Sequence, residues 1–388
     1  MGLFGPTLLG LMCGALVFLL VFLVISVLPG QLDLTITPKT ARLKVDGQVV
    51  AGNHLRLATG GHSLRAEADG FLSREVKVGV TGGRTARVNL ALAEQPAPQP
   101  LLSSHPRGRA VSLDGNWLLY LDNTGQTIKR LSLFADQSGS RPDEVLVSGL
   151  LPVDRAFFDT VGNQVFLKRG SRFATLGLTK TDLVHTQEQS LDTTTQGLAL
   201  SANRAKTALL NWRADNQLEV QVDNKAHILP ETVTAHHLAF LADPRYLVYL
   251  DSRGLWRLDS LNGNTVLLYK SAGLRSLLVS PKGTVAVDEE TAGGWLIHFI
   301  DSGNGKSLGG VTGGQLESAV FTESGWLLVA SPNKTEILAV KPDGEKKRMR
   351  FQASANHHPT NLVLTPSNTR LIYQAEGGVY SLPIAWED

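Results

Sequence analysis

Short apolar runs alternate with turn-forming residues along most of this chain, and this pattern predicts β-strands rather than helices. Within many runs apolar and polar residues alternate one by one, as they do through Leu43 and Val45. That period of two indicates strands with one buried face. The exception is the segment from Leu8 to Leu28, which is apolar throughout. The pattern therefore predicts an all-β protein that follows one long apolar segment.

The apolar segment has the length of a membrane-spanning helix. It holds about 21 residues, and a spanning helix needs about 20. No Asp, Glu, Lys or Arg occurs before Asp33, and Pro29-Gly30 is typical of a helix end. We therefore predict a retained N-terminal transmembrane anchor over residues 1–30.

A cleaved secretory signal is the main alternative to this anchor. Its apolar region is usually shorter, about 7–15 residues, and follows positive charge. Here no Lys or Arg precedes the run, and no small-x-small cleavage site follows it. Lipid attachment at Cys13 is disfavoured because the apolar run follows the cysteine, and a buried core helix would have no helical partner.

Two signals disagree about the side of the membrane that holds the body. Lys39, Arg42 and Lys44 follow the span, and the positive-inside rule would put them in the cytoplasm. One N-terminal span before a thiol-free β-rich body is nevertheless common in exported proteins. We therefore expect a single-pass protein of the inner (cell) membrane with its body on the periplasmic side.

Residues 31–93 show about six short strands separated by turn signals, which predicts a small β-sandwich. The turn pairs are Asp46-Gly47, Gly60-Gly61, Asp69-Gly70 and Gly82-Gly83. We interpret Asp46 and Asp69 as turn residues rather than as ligands, because Asp tolerates the left-handed conformation.

This region resembles the PEGA domain family. The resemblance lies in Pro38-Lys39-Thr40-Ala41, Val45-Asp46-Gly47, Gly60-Gly61-His62 and Ala68-Asp69-Gly70-Phe71. The family usually has Gly where Thr40 stands and Pro near residues 54–57, and neither is present. The resemblance implies an extracytoplasmic β-sandwich that mediates binding or acts as a spacer, and it carries no catalytic residues.

Residues 94–105 follow as a predicted linker. Pro96, Pro98 and Pro100 stand in alternate positions, which favours an extended, semi-rigid spacer.

The chain from residue 106 to 388 repeats one pattern seven times: an apolar triplet, a polar turn and a second apolar run. The seven segments are Ala110–Tyr120, Phe157–Phe166, Leu198–Leu210, Leu238–Tyr249, Leu277–Val287, Ala319–Val329 and Leu362–Tyr373. A spacing of roughly 40–45 residues is typical of four-stranded propeller blades. We predict a β-propeller of about seven blades, with two stacked sandwiches as the alternative.

The repeats resemble the broad TolB-like and WD40-like propeller families. The resemblance is clearest at the turn Ser280-Pro281-Lys282-Gly283 and at Thr365-Pro366-Ser367-Asn368. No Trp-Asp pair ends the repeats, so the resemblance concerns the fold and implies little about function.

Composition narrows the classes of function. The chain has 388 residues, and its 37 basic and 35 acidic side chains give a net charge of +2. This balance offers no basic stripe for nucleic acid. The single cysteine excludes a disulfide framework and any zinc site built on cysteine.

No catalytic motif stands out. The chain has no G-x-S-x-G elbow, and Gly303–Ser307 is better explained as a hairpin tip than as a phosphate loop. The pairs His236-His237 and His357-His358 cannot chelate easily, because neighbouring strand residues face opposite ways. The remaining candidates are acidic residues after apolar runs and one basic cluster: Asp122, Asp251, Glu289-Glu290, Asp301, Asp343 and Lys346–Arg350.

We interpret Asp122, Asp251 and Asp301 as turn residues and the basic cluster as a solvated strand end. The sequence therefore predicts no catalytic, cofactor-binding or metal-binding residues, and the protein is not expected to be an enzyme. It predicts a membrane-anchored binding or scaffolding protein for a protein or cell-envelope glycan partner, and a subunit of an envelope complex is one form of that role. The alternative is a hydrolase or lyase with its site in the propeller channel.

Overall fold

A computed structural model describes most of the chain after the N-terminal segment. The described residues are 29–112, 114–134, 141, 143–159, 164–170, 172–177, 186–187, 195–201, 206–213, 217–223, 225–229, 237–331, 336–352 and 358–386. In this part of the chain no helix has the length and apolar character needed to cross a bilayer. The predicted anchor lies outside the described residues except for Pro29 and Gly30, and Gly30 begins the first strand.

The described chain forms two compact units, which divide between Gln95 and Pro96. The strands of the first unit are β1 Gly30–Thr37, β2 Arg42–Val45, β3 Gln48–Val50, β4 His54–Leu57, β5 Gly60–Glu67, β6 Arg74–Val80 and β7 Thr85–Ala91. They form two sheets, in the strand orders β4-β1-β7 and β3-β2-β5-β6.

Alternating side chains of both sheets form the core of the first unit. The buried set is Leu32, Leu34, Leu43, Val45, Leu64, Ala66, Leu90 and Leu92. The period of two read from the sequence is therefore the period of burial. Asp46 and Gly47 have positive φ values of 50° and 83° and join β2 to β3 as a tight hairpin. Gly60 and Gly61, expected to form a turn, instead begin β5.

The Asp46 carboxylate also ties the hairpin to β5. One oxygen accepts the Ser63 N–H at 2.8 Å, and the other lies 2.7 Å from Nδ1 of His62. The His62 ring contacts the Ala58 carbonyl through Nε2 at 2.9 Å. The hydrogen bond to Asp46 raises the pKa of His62, and the same contact lowers the pKa of Asp46.

The described part of the second unit contains seven four-stranded antiparallel sheets, here called blades 1 to 7. Blades 1 to 3 contain β9 Gly108–Val111, β10 Trp117–Leu121, β11 Ile128–Ser132 and β12 Asp143–Val147; β13 Arg155–Asp159, β14 Gln164–Arg169, β15 Arg172–Gly177 and β16 Thr186–Gln187; and β17 Thr195–Leu200, β18 Thr207–Trp212, β19 Leu218–Val222 and β20 Lys225–Ile228.

Blades 4 to 6 follow in chain order. They contain β21 His237–Phe240, β22 Tyr246–Asp251, β23 Gly254–Asp259 and β24 Thr265–Lys270; β25 Leu274–Val279, β26 Thr284–Thr291, β27 Gly294–Asp301 and β28 Ser307–Thr312; and β29 Ala319–Phe321, β30 Leu327–Ala330, β31 Glu336–Val340 and β32 Lys346–Arg350. A short 3₁₀ helix, Leu316–Ser318, precedes β29.

Blade 7 combines strands from the two ends of the unit. It contains β33 Thr360–Leu364, β34 Arg370–Ala375 and β35 Gly378–Pro383, and its outer strand is β8 Gln99–Leu102. β8 pairs antiparallel with β35, with Leu102 opposite Val379. The linker predicted over residues 94–105 thus contains a blade strand, Gln99–Leu102. An outer strand can contain Pro100, because one edge of such a strand needs no N–H donors.

The ring closes through its innermost strands. β33 of blade 7 contacts β9 of blade 1, as β21 contacts β25 and β29 contacts β33. Each predicted repeat supplies the first two strands of one blade. At the Ser280–Gly283 turn the Gly283 N–H donates to the Ser280 carbonyl at 2.9 Å, and Gly283 has φ +85°.

The apolar core lies between neighbouring blades. On β22, Leu247 and Tyr249 belong to a cluster shared with blade 3, whereas Val248 and Leu250 belong to one shared with blade 5. A middle strand is therefore buried on both faces. This explains why the second run of each repeat is continuously apolar rather than alternating.

The closing strand generates a stability prediction. Leu102 packs against the cluster between blades 7 and 1, so Leu102→Asp would place a carboxylate in apolar surroundings. We expect a loss of about 1–3 kcal/mol in unfolding free energy, measured by chemical denaturation. The exposed neighbour Ser103 provides the control Ser103→Asp, and equal stability of the two variants would contradict a closing role for β8.

The His62–Asp46 contact generates a pH prediction. Because the pKa of His62 lies above 6.5, the contact stabilises the first unit below that pH and is lost as pH rises through the folded pKa. The pKa of Asp46 lies below 3.8, so its contribution is lost as pH falls through that lower pKa. We expect the His62 imidazole to titrate above 6.5 by NMR.

His62→Gln should remove this part of the pH dependence of unfolding. His54→Gln is the matched control because the His54 side chain is 84% exposed. Titration of His62 at or below 6.5 would refute the prediction.

Candidate functional site

A cavity of about 950 Å³ lies among the innermost strands of the ring. Its lining comes from β9, β13, β17, β21, β25 and β33 and from the 3₁₀ helix before β29, so all seven blades contribute. Most of these residues stand at the beginnings of the strands. The cavity therefore lies at the end of the ring where the chain enters each blade.

The backbones of blades 1 and 2 approach closely at the cavity wall. The Ala156 N–H donates to the Arg107 carbonyl at 3.1 Å. A Cβ atom on Gly108 would lie 2.1 Å from the Ala156 carbonyl oxygen, far inside van der Waals contact. Glycine is required at this position because only a residue without a side chain allows the two inner strands to meet.

Arg109 follows directly and faces the cavity with few acceptors. Its Nη2 donates to the backbone carbonyl of Asn361 in blade 7, across the seam where the ring closes. Its Nε is buried and has no hydrogen-bond partner among the described residues. Burial lowers the pKa of Arg109 to about 10, so the side chain is still a cation at neutral pH.

The Asn361 carbonyl is presented by an irregularity of β33. Asn361 has a φ of +51°, a conformation that Asn adopts more readily than most residues. It lies where the pairing of β33 with β34 shifts between Thr360 and Val363. Its Nδ2 donates to Oε1 of Gln374 at 2.6 Å. This bulge turns the Asn361 carbonyl away from the ladder and toward Arg109.

Other charged groups of the lining are engaged with loop backbone or exposed. Arg107 donates to the carbonyls of Asn123 and Val153, each at 2.9 Å. Asp154 accepts the Gly170 N–H at 2.6 Å. Arg155 and Glu317 are exposed to solvent. Among the described lining residues, Arg109 is thus the half-buried cation whose buried Nε has no protein acceptor.

A buried carboxylate supports the wall between blades 5 and 6. Asp288 accepts the Ser276 N–H at 2.7 Å and the Leu316 N–H at 2.9 Å, and it is 1% exposed. Burial outweighs these two bonds and raises the pKa of Asp288, with a further contribution from the charge of Glu317. Asp288 therefore joins β25 to the 3₁₀ helix behind the cavity surface.

A second polar cluster connects blades 4 and 5. Glu289 accepts from Ser271 Oγ at 2.5 Å and lies 2.8 Å from Nε2 of His298. The His298 ring packs against Tyr269 with a centroid distance of 5.2 Å. The Ser271 hydroxyl is the largest cause of the lowered pKa of Glu289. The carboxylate stands between serine and histidine, so histidine does not contact the hydroxyl that a serine nucleophile would use.

The acidic residues singled out in the sequence are dispersed. Asp122, Asp251, Asp301 and Asp343 each accept backbone N–H groups in the turn that follows. Glu290 pairs with Arg275 at 3.3 Å. The structure therefore does not bring these carboxylates together.

The other sequence candidates are also separated. His237 lines the cavity and His358 is exposed, whereas His236 and His357 lie outside the described residues. In the described part of the chain no three His, Cys, Asp or Glu side chains are grouped as metal ligands would be. The basic run Lys346–Arg350 forms the outer strand of blade 6, where Met349 is buried. Gly303–Ser307 spans the turn before β28 and the start of that strand.

Sequence reasoning missed Arg109, Asn361 and Gln374. Asn361 and Gln374 lie on neighbouring strands of blade 7. Arg109 meets them only because the last blade closes on the first. The sequence offered one signal for these residues, a polar side chain at the beginning of an inner strand. Many other positions have the same feature, so it does not single them out.

Solved structures similar to this chain are β-propellers. The β-propeller domain of Cps50 (Swd1) from Myceliophteria thermophila matches with a TM-score of 0.55 and 11% identity, covering 74% of this chain and 100% of that domain. A streptogramin B lyase matches with a TM-score of 0.50 and 11% identity, covering 75% of this chain and 97% of that one.

The second unit is a β-propeller. At 11% identity the likeness concerns the fold alone. No protein-family model and no curated protein matches the sequence. The resemblance of residues 32–93 to the PEGA family is therefore not supported, although the first unit does contain two packed sheets.

Asp288 generates a prediction about the propeller wall. Asp288→Ala leaves two buried N–H groups unpaired, and we expect a loss of roughly 1–3 kcal/mol for each of them. Asp301→Ala removes a carboxylate that also accepts two backbone N–H groups, but in a less buried turn. It should cost less than about 1 kcal/mol. Equal unfolding free energies of the two variants would show that Asp288 does not support the wall.

Proposed function

We propose that this chain is a binding or scaffolding protein whose propeller presents the face around the central cavity to a partner. The observation that supports this proposal is the convergence of all seven blades on one cavity. The innermost strands of the seven blades and the segments that precede them place many side chains around one opening. This arrangement offers a large binding surface to which every blade contributes side chains, and it requires no catalytic group.

The placement of the polar groups also favours binding over catalysis. The charged side chains of Arg107 and Asp154 hold neighbouring loops through backbone groups. A hydrolase or lyase needs titratable groups that converge on one reacting bond. That activity is the second candidate, and it would use the same cavity, with Glu317 and His237 as its exposed and half-buried titratable groups.

The proposed location rests on the N-terminal sequence. The apolar run from Leu8 to Leu28 has the length of a membrane span. We propose that it anchors the chain in the cell membrane, with both β units on the extracytoplasmic side and with a protein or an envelope glycan as partner.

Crosslinking in intact membranes tests the binding face. We expect the full-length chain to capture a specific partner, and the double variant Arg155→Glu/Glu317→Lys at the cavity to lose it. Lys282→Glu/Glu323→Lys provides a matched control, because both residues lie in the turns that follow the first strands of blades 5 and 6. Each double variant reverses one positive and one negative exposed side chain and leaves the net charge unchanged. Loss of the partner in the control alone would assign binding to the opposite face.

Protease accessibility tests the proposed location. We expect the β units to be digested in cells stripped of their outer layer and protected in sealed, inside-out vesicles of the cell membrane. The opposite result would place the β units in the cytoplasm.

An activity assay tests the second candidate function. Substrate turnover by the purified chain that is abolished by Glu317→Gln would replace the binding function with catalysis.

A further inference from the structure

Arg109 is a half-buried cation that the described protein groups do not neutralise. Its Nη2 bonds to the neutral carbonyl of Asn361, and its buried Nε has no acceptor in the described part of the chain. A buried donor without an acceptor is destabilising, and more strongly so when it belongs to a charged group. An anion bound in the cavity against this guanidinium would balance the positive charge that the described side chains leave unpaired.

The position of Arg109 is set by its surroundings. The Asn361 carbonyl holds Nη2, while Asn361 itself is held by Gln374 at 2.6 Å. The strand of Arg109 is fixed against blade 2 through the close contact at Gly108. A guanidinium held in this way loses little further side-chain entropy when a ligand binds, which favours affinity.

The charges nearby favour one negative group rather than several. Arg107 already donates to two backbone carbonyls. Arg155 is exposed, with its guanidinium carbon 5.2 Å from the centroid of the Phe157 ring. Asp154 and Glu317 in the lining would repel additional negative charge. A monoanion such as a carboxylate therefore fits better than a dianion such as a phosphate monoester.

The remainder of the lining has apolar surface. Leu198, Leu278 and Leu316 come from blades 3 and 5 and from the helix before blade 6, away from the seam between blades 7 and 1. The volume of about 950 Å³ is within the range of roughly 300–1,000 Å³ that holds small molecules. A ligand with an anionic end and an apolar body would satisfy both parts of the wall.

We propose that the propeller cavity binds a small organic carboxylate, with its carboxylate on Arg109 and its apolar part against Leu198, Leu278 and Leu316. This inference rests on the proposed binding function, to which it adds the chemical class of ligand. Arg109 is a ligand-binding residue in this arrangement, and Asn361 and Gln374 are positioning residues.

Octanoate serves as the probe, with octanamide as the uncharged match and octyl phosphate as the dianionic match. Titration calorimetry of the full-length chain at constant ionic strength should show octanoate binding more tightly than either match. Arg109→Gln should weaken octanoate binding roughly 10- to 100-fold, as expected for loss of one charge-assisted contact. It should leave the weaker octanamide binding unchanged.

Arg130→Gln is the matched control. Arg130 lies on β11 of the same blade, pairs with Glu144 and is not part of the cavity lining. We expect this variant to bind octanoate as the wild type does. An equal loss in both variants would mean a general charge effect and would overturn the assignment to Arg109.

A measurement on the wild type covers the case in which Arg109→Gln does not fold. The Arg109 Nε–Hε resonance should shift on addition of octanoate and should not shift on addition of octanamide. An unchanged resonance, undetectable octanoate binding or tighter binding of octyl phosphate would each overturn the proposal.

The two proposals can fail separately. Capture of a partner in membranes together with absent octanoate binding would refute the carboxylate site and leave the proposed function intact. Octanoate binding without any captured partner would support the carboxylate site and refute the proposed presentation of a partner surface.

Discussion

Burial of both faces of the middle strands is the constraint on which the propeller depends. Leu247 and Tyr249 of β22 pack toward blade 3, and Val248 and Leu250 pack toward blade 5. A single blade would expose both apolar faces, so each blade is stable only between two neighbours. The first and last blades meet this requirement by packing against each other, and β8 joins them by completing the last sheet.

Closure of the ring also creates the cavity and brings polar groups into it that need hydrogen-bond partners. The inner strands meet with little room, as Gly108 shows against Ala156. Backbone groups near the cavity are satisfied by buried side chains, and Asp288 serves two of them. At the seam between blades 7 and 1 one donor lacks a partner: Arg109 donates through Nη2 to the Asn361 carbonyl, but its Nε has no acceptor among the described residues. That imbalance is the observation on which the proposed ligand site rests.

Polar side chains elsewhere in the propeller hold turns and neighbouring blades. Asp122 and Asp301 accept N–H groups of the turns that follow them, while Glu289 joins β26 to Ser271 and His298. Such residues look like candidate catalytic carboxylates in a linear sequence because their spacing repeats. Their regular spacing arises instead from the repeated hairpins of the blades.

The order of strands along the chain and the repetition of blades were determined by the sequence itself, because apolar runs and turn residues act over only a few positions. The Ser280–Gly283 turn and the seven paired runs needed no knowledge of the rest of the chain. The role of β8 and the meeting of Arg109 with Asn361 were decided only by the tertiary structure. Both depend on closing a loop of more than 250 residues, and no local pattern records which ends meet.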